Sequence, residues 1–157
     1  MSIEKVKAYL RAQGIDNRIL EFKESSATVE LAAQAVGCEP ARIAKSLSFD
    51  LKGESIVVVT AGDMKIAGAK FKAEFESKPK MMAIDEVEDR IGHAVGGVCP
   101  FALKDGVRVY LDISMKRFET IFPACGSSNS AIELTPEELE KYSNAVRWVD
   151  VCKNVAV

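Results

Sequence analysis

The chain has 157 residues, 48% of them hydrophobic and 28% charged, the profile of one ordinary globular domain and not of a disordered segment. A chain of this length buries roughly 68–70% of its unfolded surface without a metal or disulfide staple. Twenty-one Lys and Arg against 23 Asp and Glu give a net charge of −2, which excludes a protein that coats long duplexes by charge alone but not one that grips a single-stranded end.

Taken in chain order, the pattern alternates helices and strands without a regular βαβ period. Ser2 is placed to cap a first helix with Ile3, Val6 and Leu10 on one face, and Gly14 to end it. Residues 18–22 read as a short strand. Thr28 caps a helix over residues 29–36 that Gly37 stops, and Glu39-Pro40 opens a further short helical turn. Residues 47–51 and 54–60 flank Lys52-Gly53 as a hairpin. Residues 61–80, which carry Lys65, Lys70, Lys72, Lys78 and Lys80, read as loop plus a helix near 67–74. Asp85 and Glu88 stand in capping-box spacing in a helix over residues 85–90. Alternation at Val107, Val109, Leu111 and Ile113 predicts a half-buried strand. Residues 118–122 and 131–134 read as strands around a Gly-Ser loop, Thr135-Pro136-Glu137-Glu138 as a strong helix start, and residues 146–151 as a closing strand. The order predicts a mixed sheet, not a doubly wound parallel one.

The apolar run at residues 56–61 is far too short to cross a bilayer, and the charged, amphipathic N-terminus does not read as a signal peptide. Cys38, Cys99, Cys125 and Cys152 show no metal-ligand spacing, and one histidine, His93, excludes a multi-histidine metal centre. The expectation is a cytoplasmic chain with reduced thiols, no metal, no cofactor and no membrane contact. There is no phosphate-binding glycine motif and no nucleophile elbow. His93 reads as a loop or strand residue facing solvent rather than as a catalytic base.

Two segments offer chemistry. In residues 42–49, Lys45 sits among apolar neighbours at a helix-to-strand junction, where it either snorkels outward or projects as a fixed cation toward a phosphate or carboxylate. In Gly96-Gly97-Val98-Cys99-Pro100-Phe101, the glycines make either a tight turn or a loop whose amides approach a carbonyl oxygen closely.

Together, a Lys in an Ala-Lys-Ser-Leu context about fifty residues before this His-Ala-Val-Gly-Gly-Val-Cys-Pro loop resembles the YbaK/prolyl-tRNA-synthetase-associated domain family. The resemblance continues through Val109-Tyr110-Leu111-Asp112, Cys125 to Asn129 and the Ile-Glu-Leu before Thr135. It implies a single α/β domain over residues 1–157, with a mixed central β-sheet, partly barrel-like, surrounded by helices. It also implies an aminoacyl-tRNA deacylase that hydrolyses the ester of mischarged tRNA, with the terminal ribose hydroxyl helping to position water. The implied partners are the acceptor end of aminoacyl-tRNA and a synthetase. By the same resemblance Lys45 holds the terminal nucleotide, Gly96 and Gly97 hold the ester, and Pro100 stiffens the loop. Cys99 and Phe101 shape the amino-acid pocket, together with Phe22, Ser25, Thr28 and Ser127. Ala131 and Cys99 stand where branches of the family have an acidic residue and a serine, so the amino acid cleared stays open. The lysines of residues 65–80 either follow the acceptor strand or form a solvated face. Two rival readings remain: a module that binds a tRNA end or nucleotide without hydrolysis, and a thiol-dependent hydrolase using Cys99.

Overall fold

A computed structural model describes residues 2–155. Helix α1 (Ser2–Ala12) buries Ile3, Val6 and Leu10, the face its periodicity predicts, and Gly14 follows it at φ +80°. Strand β1 is Ile19–Glu21. Helix α2 (Val29–Val36) is capped by Thr28, whose Oγ1 accepts from the Leu31 amide at 3.1 Å, and Gly37 ends it in the left-handed conformation. A 3-10 turn at Pro40–Arg42 leads directly into β2 (Ile43–Leu51). Strand β2 therefore starts four residues earlier than the hydrophobic pattern suggests, and Lys45 lies inside a strand instead of at its junction.

Lys52 and Gly53 turn β2 into β3 (Glu54–Ala61), both at positive φ, as a two-residue turn matched to strand twist requires. Strand β4 (Met64–Ile66), helix α3 (Gly68–Phe75) and helix α4 (Ile84–Ile91) follow. Strand β5 is Arg108–Asp112, β6 Phe122–Pro123 and β7 Ser130–Ile132. Helix α5 (Pro136–Ser143), β8 (Arg147–Val149) and β9 (Cys152–Asn154) complete the order.

Five strands form a curled, mixed sheet in the order β6-β2-β3-β5-β8. Strands β2 and β3 are antiparallel, whereas β2–β6, β3–β5 and β5–β8 are parallel. Two antiparallel ribbons, β1–β7 and β4–β9, flank the sheet. Both faces of the sheet are covered. On one, Val57, Val59, Val109 and Leu111 pack against residues of α1, α4 and α5. On the other, Phe49, Val58 and Tyr110 pack against Phe71 and Phe75 of α3, with successive ring centroids 4.6–5.0 Å apart. A smaller cluster joins Ala32 and Ala33 of α2 to Ile43, Phe122 and Ala131.

Several expectations are corrected here. Strand β5 is buried on both faces, not half-buried, because α3 covers the face that carries Tyr110. Asp85 and Glu88 form no capping box: Ala83 occupies the cap position without a side-chain bond, and Asp85 lies inside the first turn, where its charge suits the helix dipole. Residues 118–121 are not a strand; only an isolated bridge between Ile121 and Leu134 marks that approach. Strands β4 and β9, each three residues long, carry too little alternation to register in the sequence. Among the described residues no helix is long and apolar enough to cross a membrane.

Candidate functional site

A cleft of about 290 Å³ opens along the outer edge of β2, floored by residues 44–48 and walled by Ala131, Phe122 and the start of α2. It exists because the neighbours of β2 do not cover its whole length. Strand β6 pairs only with Ile43 and Ala44. Farther along, the Asp50 amide donates to the Lys80 carbonyl at 2.9 Å and the Met82 amide donates to the Ser48 carbonyl at 3.0 Å. Between these two contacts the edge lies open. Met81, Ile84 and Val95 form an apolar lip at the mouth, 58%, 77% and 58% exposed. Nothing in the sequence around these three residues distinguishes them from core positions.

Lys45 lies in this cleft, half-buried on β2. By the alternation of the strand it shares a side with Leu47 and Phe49, toward α3. Its Nζ donates to the Met64 carbonyl of β4. Burial lowers its pKa below the ordinary lysine value, partly offset by nearby Cys152, Asp63 and Glu30. Asp63 is itself held by Arg117 through bonds of 2.6 and 3.0 Å, which keep its carboxyl below the usual range.

The glycine loop reaches the cleft from the opposite side of β2. Gly96 faces it, exposed, at φ +93°, a conformation that L side chains rarely adopt. Gly97 is constrained by contact instead: a β-carbon there would stand 2.9 Å from the Gly126 carbonyl oxygen. Gly126 in turn abuts the first turn of α1, where a β-carbon would stand 2.9 Å from the Ser2 carbonyl oxygen. The two glycines therefore let three backbone segments stack.

Below the loop lie residues expected at the site that the structure locates elsewhere. Cys99 and Phe101 are 0% and 1% exposed and belong to the main core, so neither side chain reaches the cleft, and Pro100 is buried beside them. Burial pushes the Cys99 thiol up to about 12, which together with its place in the core argues against the thiol-hydrolase reading. His93 is buried, not solvent-facing. Its Nε2–H donates to the Phe101 carbonyl at 2.7 Å, which ties the two ends of the loop together, and burial holds its pKa below the usual imidazole value. His93 is thus a clasp of the loop.

The remaining expected residues divide. Thr28 stands at the cleft rim with its hydroxyl engaged in capping α2. Phe22 packs behind the wall against the cluster that contains Phe122 and Ala131. Ser25 donates to the Ser128 carbonyl at 3.5 Å, and Ser127 bonds Asn129 Oδ1 and Ser130 Oγ at 2.9 and 2.7 Å. Both serines brace the 125–130 loop behind Gly97. Ala131 is a wall of the cleft. Of the lysines in residues 65–80, Lys70 is occupied by Asp150 at 3.0 Å. Lys65 is exposed on β4 directly opposite exposed Lys153 on β9, and among the described residues neither has a carboxylate within 4.0 Å.

Comparison with known proteins matches the chain to a family. The family described as "Aminoacyl-tRNA editing domain" matches residues 23–142. Over 155 residues the chain is 49% identical to "Uncharacterized protein YwhH" of Bacillus subtilis, covering 98% of this chain and 99% of that one. It is 27% identical over 125 residues to "Putative Cys-tRNA(Pro)/Cys-tRNA(Cys) deacylase EbsC" of Enterococcus faecalis, covering 78% of this chain and 76% of the relative. A solved structure described as "a putative trans-editing enzyme for prolyl tRNA synthetase" superposes with a TM-score of 0.87 at 26% identity, covering 98% of both chains. The chain belongs to the aminoacyl-tRNA editing domain family.

Proposed function

We propose that the protein is a trans-acting aminoacyl-tRNA deacylase that hydrolyses the ester between a wrongly attached amino acid and the terminal ribose of a tRNA. The observation that carries this reading is the meeting of Lys45 and Gly96 in one cleft on a family editing fold. Water adds to the ester carbonyl, the bond to the ribose oxygen breaks, and the products are the free amino acid and an intact tRNA end. Such an ester needs no strong nucleophile, so orientation and stabilisation of the developing oxyanion suffice. The backbone amide of Gly96 supplies that stabilisation, the Gly97 amide being engaged with the Ala94 carbonyl at 2.9 Å; one well-placed donor is worth roughly 10²–10³ in rate.

Lys45 supplies the fixed cation for the phosphate of the terminal nucleotide. An ammonium has three donors, so it keeps its bond to Met64 while binding an anion. Its half-burial strengthens that attraction relative to a fully solvated charge. The apolar lip of Met81, Ile84 and Val95 suits the flat terminal base, and the Lys65–Lys153 pair suits the phosphates of the acceptor stem. A synthetase pocket separates side chains that differ by one methylene by only about 1–3 kcal/mol, which is the need such an enzyme answers. A prolyl-tRNA synthetase is the partner most in keeping with the relatives.

The test is a panel of mischarged tRNAs incubated with the purified protein, followed as loss of the ester. Cleavage of at least one, with the correctly charged tRNA spared, is the expected result. Binding without ester loss across the panel would make the protein a module that holds tRNA ends.

A further inference from the structure

The open stretch of β2 has a specific chemistry. In the β2–β3 pairing, the residues on β2 alternate between those whose backbone groups point to β3 and those whose groups point outward. The outward set is fixed by two observed bonds, the Asp50 amide to Lys80 and the Ser48 carbonyl from Met82. Two residues earlier, the N–H and C=O of Ser46 point the same way. Pairing with β6 has ended by then at Ala44 and Pro123, and the 80–82 segment has not yet begun. Ser46 therefore offers one donor and one acceptor, both unpaired among the described residues, into the cleft between Lys45 and the glycine loop.

A paired residue of an antiparallel sheet meets such an edge with its own N–H and C=O, exchanging two hydrogen bonds with the residue opposite. An aminoacyl ester is a single residue of that kind: it keeps an α-amino donor and a carbonyl acceptor at the spacing found in a peptide. We propose that the β2 edge at Ser46 is the aminoacyl clamp, with its C=O accepting from the substrate α-amino group and its N–H donating to the ester carbonyl. The substrate then adds one residue of strand to β2, and its side chain is directed by the pleat to a fixed side of the cleft. The amide of Ser46 acts as a further donor on the carbonyl oxygen, whose second lone pair remains for the glycine loop. Discrimination between amino acids falls to the walls that the clamped side chain meets, Ala131 among them.

This inference rests on the deacylase reading, and the experiment separates the two. The probes are 3′-L-alanylamino-3′-deoxyadenosine, a non-hydrolysable aminoacyl-adenosine, and 3′-amino-3′-deoxyadenosine, which lacks the acyl group. Amide hydrogen exchange followed by NMR is expected to find Ser46 unprotected in the free protein while Leu47 and Phe49 are protected. The alanyl compound is expected to slow exchange at Ser46 and to bind at least about tenfold more tightly than the compound without the acyl group, the value of two modest hydrogen bonds. A backbone amide-to-ester replacement at Ser46 is expected to lower kcat/KM by at least about tenfold and the melting temperature only slightly, because its N–H has no partner among the described residues and only the Lys45 carbonyl, paired with Thr60, becomes a weaker acceptor. The same replacement at Leu47, whose N–H points to β3, is expected to lower the melting temperature further. Binding of the alanyl compound with no change at Ser46, or full turnover by the Ser46 ester variant, overturns the clamp and leaves the deacylase reading intact. Failure of the alanyl compound to bind overturns the clamp whatever the panel of tRNAs shows, and no ester loss across the panel overturns the deacylase reading separately.

Discussion

Lys45 carries its charge where solvent cannot fully compensate it, tethered to the Met64 carbonyl and facing the cleft. Replacing it with Ala removes the cation but little core volume, so Lys45→Ala is expected to lower deacylation by roughly 10²–10³ with an unaltered melting curve. Lys45→Arg is expected to recover little, because the guanidinium is wider and places its charge differently. In the proposed mechanism the charged form is the active one and burial lowers its pKa, so activity is expected to be lost as pH rises through a value below the ordinary 10.5. The profile of kcat/KM against pH, corrected for spontaneous ester hydrolysis, checks this; an alkaline limb that persists unchanged in Lys45→Ala would assign the titration to another group. Cys99 makes the opposite case. With no exposed surface and a thiol raised to about 12, it has no path to the ester, so Cys99→Ala is expected to keep turnover near the wild-type level at some cost in melting temperature. A loss of turnover without loss of fold would restore the thiol mechanism.

At the scale of elements, the glycine loop and α5 show what sequence pattern can and cannot convey. The two loop glycines look equivalent in the sequence, yet they are required for different reasons. Gly96→Ala places a side chain at φ +93°, costing about 1–2 kcal/mol, while Gly97→Ala also forces the 126–127 backbone away from its seat against α1. Both are expected to reduce deacylation, and Gly97→Ala to lower the melting temperature more; equal melting temperatures would show that the stacked backbones yield freely. Helix α5 was legible because its signals are local: Thr135 Oγ1 accepts from the Glu138 amide at 3.1 Å and Glu138 Oε1 from the Thr135 amide at 2.9 Å, the expected capping box. The same spacing at Asp85 and Glu88 failed because the chain enters α4 two residues earlier, a tertiary choice that no local pattern encodes. The core locations of Cys99 and Phe101 were illegible for a similar reason: the family pattern marks the loop but not which side chains turn inward. Glu138 also receives Arg18, the residue just before β1, at 2.8 and 3.1 Å, and this pairing, with the cap, holds its carboxyl at about 2 against an ordinary 4.5. A depressed carboxylate stabilises the fold above the unfolded value and loses that contribution as pH falls through the folded one. Glu138→Gln is therefore expected to flatten the acid-unfolding curve between pH 4.5 and 2. An acid limb of undiminished steepness would place the titrating group elsewhere.

For the whole molecule, charge distribution matters more than the near-neutral total of −2. Such a net charge supplies no general attraction for RNA, so affinity for a tRNA has to come from a few placed cations. Lys65 and Lys153 are directly opposed on the β4–β9 ribbon, about 5 Å apart at their β-carbons, an arrangement that costs stability unless an anion relieves it. The ribbon is tied to the cleft, since Met64, the neighbour of Lys65, accepts the bond from Lys45. Phosphates of the acceptor stem lying on this ribbon would continue the path of the terminal nucleotide held by Lys45. The double variant Lys65→Ala, Lys153→Ala is accordingly expected to raise KM for mischarged tRNA and leave kcat nearly unchanged. The slope of log affinity against log salt should become shallower by roughly one to two, since each lost phosphate contact removes about 0.9 from it on a duplex. Its melting temperature should hold or rise, because a like-charge pair has been removed. An unchanged salt slope would show that the stem leaves the protein by another face, with the two lysines serving only as a solvated surface.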